Sequence, residues 1–161
     1  NCLGLAGSPF DSYLTLRGLR TLHARMAVHQ RNARAVAEML HNHPAVSRVY
    51  YPGLQDHPGH EVAARQQEGF GAMVSFELRG GRNAIQELVG RLRCFSLAES
   101  LGGVESLISH PATMTHASMD EDTRRRAGIR DSLLRLSMGI ESAEDLLMDL
   151  RSALDAVQNQ T

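Results

Sequence analysis

The sequence predicts an α/β fold: a sheet of about four strands, covered by helices on one face and preceded by a long helix. Three observations carry this reading. Short runs of alternating hydrophobicity recur along the chain, segments with apolar residues at threes and fours separate them, and glycine or proline punctuates the joins. At 161 residues, 42% hydrophobic and 22% charged, the chain has the size and composition of one soluble domain with its own core.

Ser8-Pro9 supplies an N-cap followed by proline at the first helical position. From there Phe10, Leu14, Leu19, Leu22, Met26, Ala33, Val36, Ala37 and Leu40 form a helical stripe. Gly18 marks the expected bend or junction, and His41-Asn42-His43-Pro44 ends the run. Val46 to Tyr51 reads as a strand closing at Tyr51-Pro52-Gly53, and His60 to Gln67 as a short helix. Gly71 to Leu78 is the clearest strand, terminated by Gly80-Gly81, and Arg82 to Arg91 is a helix with Ala84, Ile85, Leu88 and Val89 on one side. Phe95 to Ala98 reads as a third strand and Leu133 to Met138 as a fourth. Ser142 opens a last helix that buries Leu146, Leu147, Leu150, Ala153, Leu154 and Val157. Between the last two strands, Glu99 to Asp120 is the longest irregular stretch, which is where binding residues concentrate.

Composition excludes several function classes. No apolar run approaches the roughly 20 residues of a membrane span. The 17 basic side chains are all arginine and face 18 acidic ones, for a formal charge of -1, so nothing favours nucleic acid. Arg124-Arg125-Arg126 with Arg130 follows Asp120, Glu121 and Asp122, the pattern of a solvated helix face. Cys2 and Cys94 form no disulfide framework and favour a reducing compartment. His41, His43, His57 and His60 lack accompanying ligands at metal spacing, Ser100 has no His and Asp nearby to complete a triad, and His116 reads as a structural hydrogen-bonding residue. The chain begins Asn1-Cys2-Leu3, with neither an initiator methionine nor a basic signal region, and is expected to continue a longer polypeptide.

Two segments could carry chemistry. Arg135, flanked by Leu134 and Leu136 and pointing away from them, either faces solvent, makes a structural ion pair, or holds an anion with its bidentate fork. Ser100 and Gly102-Gly103 follow a strand, where glycine lets backbone N–H groups approach an anion or simply permits a tight turn. Glu99 and Glu105 are carboxylates beside that turn.

Phe10-Asp11-Ser12-Tyr13-Leu14, Leu16 to Leu22, Gly69 to Met73, Glu99 to Leu107, His110 to His116 and Leu134 to Glu141 with Glu144-Asp145-Leu146 together resemble the C-terminal part of the cystathionine-metabolising, pyridoxal phosphate-dependent enzymes. Ala63 to Met73 and Glu105 to His110 look closest to the bacterial synthase branch. The resemblance implies the C-terminal small domain of a fold type I pyridoxal phosphate-dependent transferase, cytoplasmic and homotetrameric, with active sites shared across dimer interfaces. On this view residues 1–18 end the upstream cofactor-binding domain or connect to it, and residues 19–161 form the substrate-facing domain. The cofactor is held as a Schiff base on a lysine, and this chain has none. Catalytic and cofactor-binding residues therefore belong to the upstream domain, and the chain alone should be inactive.

The resemblance gives Arg135 the substrate α-carboxylate, sets Ser100 at the same end of the substrate, puts Glu99 where family members are discriminated, and lets Thr115 line the pocket. The implied reaction is γ-replacement of O-succinyl-L-homoserine by L-cysteine, giving L-cystathionine and succinate in methionine biosynthesis. The competing readings are a γ- or β-lyase that degrades cystathionine, and a non-catalytic module that binds amino acids or mediates oligomerisation.

Overall fold

The computed structural model describes residues 7–159, and Cys2 with the first part of the expected connecting segment lies outside the described residues. α1 (Pro9–Leu19) begins as its sequence requires: Ser8 is extended, its hydroxyl accepts from the Asp11 N–H, and Pro9 occupies a position whose N–H has no helical partner. The helix stops just after Gly18, and α2 (Leu22–His41) takes over. Only the second half of the long apolar stripe is buried. Ala33, Val36, Ala37 and Leu40 enter the core, whereas Phe10, Leu14, Leu19 and Leu22 remain exposed. α2 also buries His29 and Asn32, which hydrophobic spacing does not select.

β1 (Val46–Tyr50), α3 (His60–Gln66), β2 (Met73–Leu78) and α4 (Gly81–Arg91) follow where periodicity puts them. Gly80 and Gly81 adopt φ of 90° and 69°, the left-handed turn that ends β2 and that side chains resist. After α4 come β3 (Ser96–Leu97), β4 (Leu107–Ser109), α5 (Glu121–Arg126), β5 (Leu133–Ser137) and α6 (Ala143–Gln158). The sheet thus has five strands rather than the four expected. β4 lies inside the stretch read as irregular, and at three residues it is too short to show a period.

The strand order is β1-β2-β5-β4-β3, antiparallel except for the β3 and β4 pair. Parallel neighbours need a return connection, and here residues 98–106 provide it without a helix. β5 is the central strand. One face of the sheet carries Val74, Phe76, Leu78, Ile108, Leu134 and Leu136, all 2% exposed or less, packed under α2, α4 and α6. α6 adds Leu146, Leu150, Ala153, Leu154 and Val157 to the same core. Truncating any of these leucines to alanine should cost about 2–5 kcal/mol.

Candidate functional site

Side chains alternate across a strand, so Arg135 points away from the buried Leu134 and Leu136, onto the face of the sheet opposite the core. Register builds that face. Tyr50 is opposite Ser75, Ser75 opposite Arg135, and Arg135 opposite Ser109, which forms a polar row across β1, β2, β5 and β4. The adjacent row carries Glu77, 5% exposed, whose carboxylate accepts from the Tyr50 hydroxyl at 2.5 Å and lies 3.3 Å from Arg130 Nη1. Burial, with the bond to Glu77, pushes the Tyr50 phenol above its ordinary range. Arg48 lies over the Tyr50 ring at 4.9 Å from the centroid.

Arg135 is half-buried. Its Nη2 donates to the Glu99 carbonyl at 2.9 Å and to the Ser100 carbonyl at 3.3 Å, and its buried Nε has no acceptor among the described residues. Among the described residues no carboxylate pairs with it. Among the described residues Ser109 Oγ, on the neighbouring strand and 1% exposed in its residue, also has no partner. Leaving a buried donor unmet costs about 1–3 kcal/mol, more for a charged group. A carboxylate paired with the accessible part of the guanidinium would gain a charge-assisted hydrogen bond, which is the chemistry this arrangement offers.

Glu99, Ser100 and Arg135 are therefore brought together, with a difference from the sequence reading. Glu99 and Ser100 touch Arg135 through backbone carbonyls, while their side chains are exposed. Thr115 is exposed as well, its hydroxyl 2.8 Å from His116 Nδ1, and it makes no hydrogen bond to the other three. Gly102 has φ of 77° and donates its N–H to Ser137 Oγ at 2.9 Å, so the turn is real and that N–H is already engaged. Sequence reasoning missed Ser75, Ser109, Ser106 and Glu141. Ser75 alternates with Val74 and Phe76, a usable signal, but its place beside Arg135 depends on strand pairing.

Three histidines make contacts within the fold. His29 Nδ1 lies 2.6 Å from the Met138 carbonyl, His60 stacks on Phe70, and His110 bridges Thr113 Oγ1 and the Asp131 carbonyl. Among the described residues no group of three or more potential metal ligands comes together. No helix of the described chain is long and apolar enough to cross a membrane. An open groove of about 750 Å³ lies away from Arg135, between the end of α4 and α6. There the Asp149 carboxylate accepts from the Arg93 and Cys94 N–H groups.

A strand-borne arginine fixed by two backbone carbonyls, with no carboxylate partner among the described residues, is an arrangement that can accept a small carboxylate. A sequence profile of the Cys/Met metabolism PLP-dependent enzymes matches residues 1–155, and the chain belongs to that family. It is 56% identical over 156 residues to cystathionine gamma-synthase of Escherichia coli strain K12, covering 97% of this chain and 40% of that protein. The crystal structure of cystathionine gamma synthase from Xanthomonas oryzae pv. oryzae in complex with aminoacrylate and cysteine superposes with a TM-score of 0.94 at 64% identity, over 99% of this chain and 41% of that one. Cystathionine gamma-lyase from Lactobacillus plantarum, solved with L-serine, matches with a TM-score of 0.90 at 45% identity, over 98% and 41%. The chain spans about 40% of the length of the curated relatives it matches. The family uses pyridoxal phosphate. Without lysine this chain cannot hold the cofactor as an imine, and its guanidinium and hydroxyls fit the carboxylate of an amino acid.

Proposed function

We propose that this chain is the substrate-facing C-terminal part of a cytoplasmic, homotetrameric cystathionine γ-synthase, which replaces the succinyl ester of O-succinyl-L-homoserine by the thiol of L-cysteine. The observation that carries the reading is the seat of Arg135: a half-buried guanidinium, one nitrogen fixed by two carbonyls and, among the described residues, another buried without an acceptor and no carboxylate partner. The high identity to synthases, one of them solved with aminoacrylate and cysteine, supports the choice of substrates.

Arg135 binds the α-carboxylate and so fixes the direction of the Cα–H bond, a contribution of geometry rather than of bond-making. Ser100 borders that carboxylate, Glu99 offers its charge to an ammonium group on the cysteine side, and Thr115 lines the pocket. Pyridoxal phosphate, bound by the upstream domain, supplies the electron sink. In the net reaction the γ-carbon to oxygen bond breaks, succinate leaves, and the cysteine sulfur takes its place with loss of the thiol proton. α1 is then the connection to the upstream domain, which covers its exposed Phe10, Tyr13, Leu16 and Leu19.

Full-length enzyme is incubated with the succinyl ester plus cysteine, and separately with cystathionine alone. Cystathionine and succinate from the first mixture, with no breakdown in the second, is the expected result. Cystathionine cleavage without synthesis would assign the chain to the lyase branch of the family.

A further inference from the structure

From Arg135 onward, alternate residues of β5 and its continuation meet the loop that returns from β3 to β4. Arg135 holds the carbonyls of Glu99 and Ser100, and Ser137 Oγ accepts from the Gly102 N–H. A Cβ on Gly139 would come within 2.5 Å of the Val104 carbonyl oxygen, so the loop backbone lies directly on that glycine. Glu141 then closes the row. Its Oε1 accepts from the Ser106 N–H at 2.6 Å and its Oε2 from the Ser106 hydroxyl at 2.8 Å. The same hydroxyl accepts from the Gly139 N–H at 2.8 Å. Ser106 is fully buried, and Glu141 is partly buried with no ion pair among the described residues. A carboxylate taken out of water is costly unless hydrogen-bonded, and this one commits both oxygens to a single serine.

We propose that Ser106 and Glu141 are positioning residues: a latch that pins the far end of the 99–105 loop to β5 and thereby sets the orientation of the Arg135 guanidinium. The inference rests on Arg135 being the carboxylate seat. Glu141 touches neither substrate nor arginine. It acts through the loop whose first two carbonyls hold Nη2. The competing explanation is local: Glu141 precedes α6, where a carboxylate stabilises the start of a helix whose Ser142 cap makes no side-chain bond.

The two explanations separate on carboxylate preference. Full-length holoenzyme is titrated at equilibrium, by absorbance, with L-alanine and with ethylamine, its decarboxylated counterpart. A latch acting through Arg135 makes Glu141→Ala lower the preference for alanine roughly tenfold, with KM for the amino-acid substrate rising in parallel and kcat changing far less. Glu141→Gln keeps an acceptor for the Ser106 N–H and should retain most of the preference. An unchanged preference in Glu141→Ala, alongside a lowered Tm, leaves only the local role and overturns the latch. Should Glu141→Ala yield no folded enzyme, Ser106→Ala decides on the same ratio, since it leaves the carboxylate beside α6. Arg135→Ala is the control. If it too keeps the alanine preference, the carboxylate seat itself is wrong; if it abolishes the preference while both latch variants keep it, only the latch falls.

Discussion

The side-chain amide of Asn32, fully buried on α2, donates to the Gly139 carbonyl at 3.1 Å, tying the helix layer to the strap that follows the central strand. The same nitrogen donates to the Glu141 carbonyl at 2.9 Å, and Oδ1 has no partner. Next to it His29 meets the Met138 carbonyl. The strap carrying Ser137 to Glu141 is thus held from the helix side by α2 and from the other side by the 99–105 loop.

Asn32→Ala leaves the buried Gly139 carbonyl and the partly buried Glu141 carbonyl without this donor, at about 1–3 kcal/mol for the buried one. Asn32→Asp is expected to be worse, because it turns a donor into a charge facing those carbonyls. Thermal melting of the full-length enzyme should rank wild type above Ala and Ala above Asp. Equal melting of all three would show that the contact contributes nothing.

Arg135→Lys keeps the charge and loses the fork. With charge-assisted bonds worth about 1.5–3 kcal/mol, KM for the amino-acid substrate should rise roughly 10- to 100-fold at 1.4 kcal/mol per decade. Steady-state kinetics with the succinyl ester checks this, and normal affinity with normal turnover would refute the assignment.

Two glycines beside the site should respond differently to alanine. Gly102 has φ of 77° with open space around it, so the cost is backbone strain of about 1–2 kcal/mol. Gly139 has no such φ, but its added methyl would meet the Glu141 carboxylate and the Val104 carbonyl. Gly139→Ala is therefore expected to lower Tm further and to weaken substrate binding, read from melting curves and KM together.

The Cys94 thiol is pushed up by burial first, then by the carboxylates of Asp149, Asp145 and Glu141, all of which disfavour the thiolate. Alkylation requires the thiolate, so its pH midpoint at Cys94 should lie above that of an ordinary thiol. Asp149→Asn removes the largest of these charge effects while keeping an acceptor for the Arg93 and Cys94 N–H groups. The expected result is a midpoint shifted to lower pH, measured by mass spectrometry of the Cys94 peptide after timed alkylation.

Local chemistry made much of the fold legible in the chain. Ser8-Pro9 starts α1, Gly80-Gly81 stops β2, alternation through Met73 to Leu78 marks a strand, and spacing from Leu146 to Val157 marks the buried face of α6. Arg135 was visible too, since its neighbours Leu134 and Leu136 force it onto the opposite face. β4 was not, because three residues cannot display a period. Nor was the exposure of Phe10 to Leu22, because periodicity reports that a helix has an apolar side and does not report what covers it.

The sequence by itself determined the α/β class, most element boundaries, the lack of any lysine and the side of the sheet on which Arg135 lies. Tertiary structure alone decided the strand order and register that set Ser75 and Ser109 beside Arg135. It also decided that Glu99 and Ser100 meet the guanidinium through their carbonyls, and that Ser106 and Glu141 close the loop. The physical reason is range. Capping, turns and periodicity act between residues a few positions apart, whereas these contacts join residues distant in the sequence and exist only once the sheet has paired.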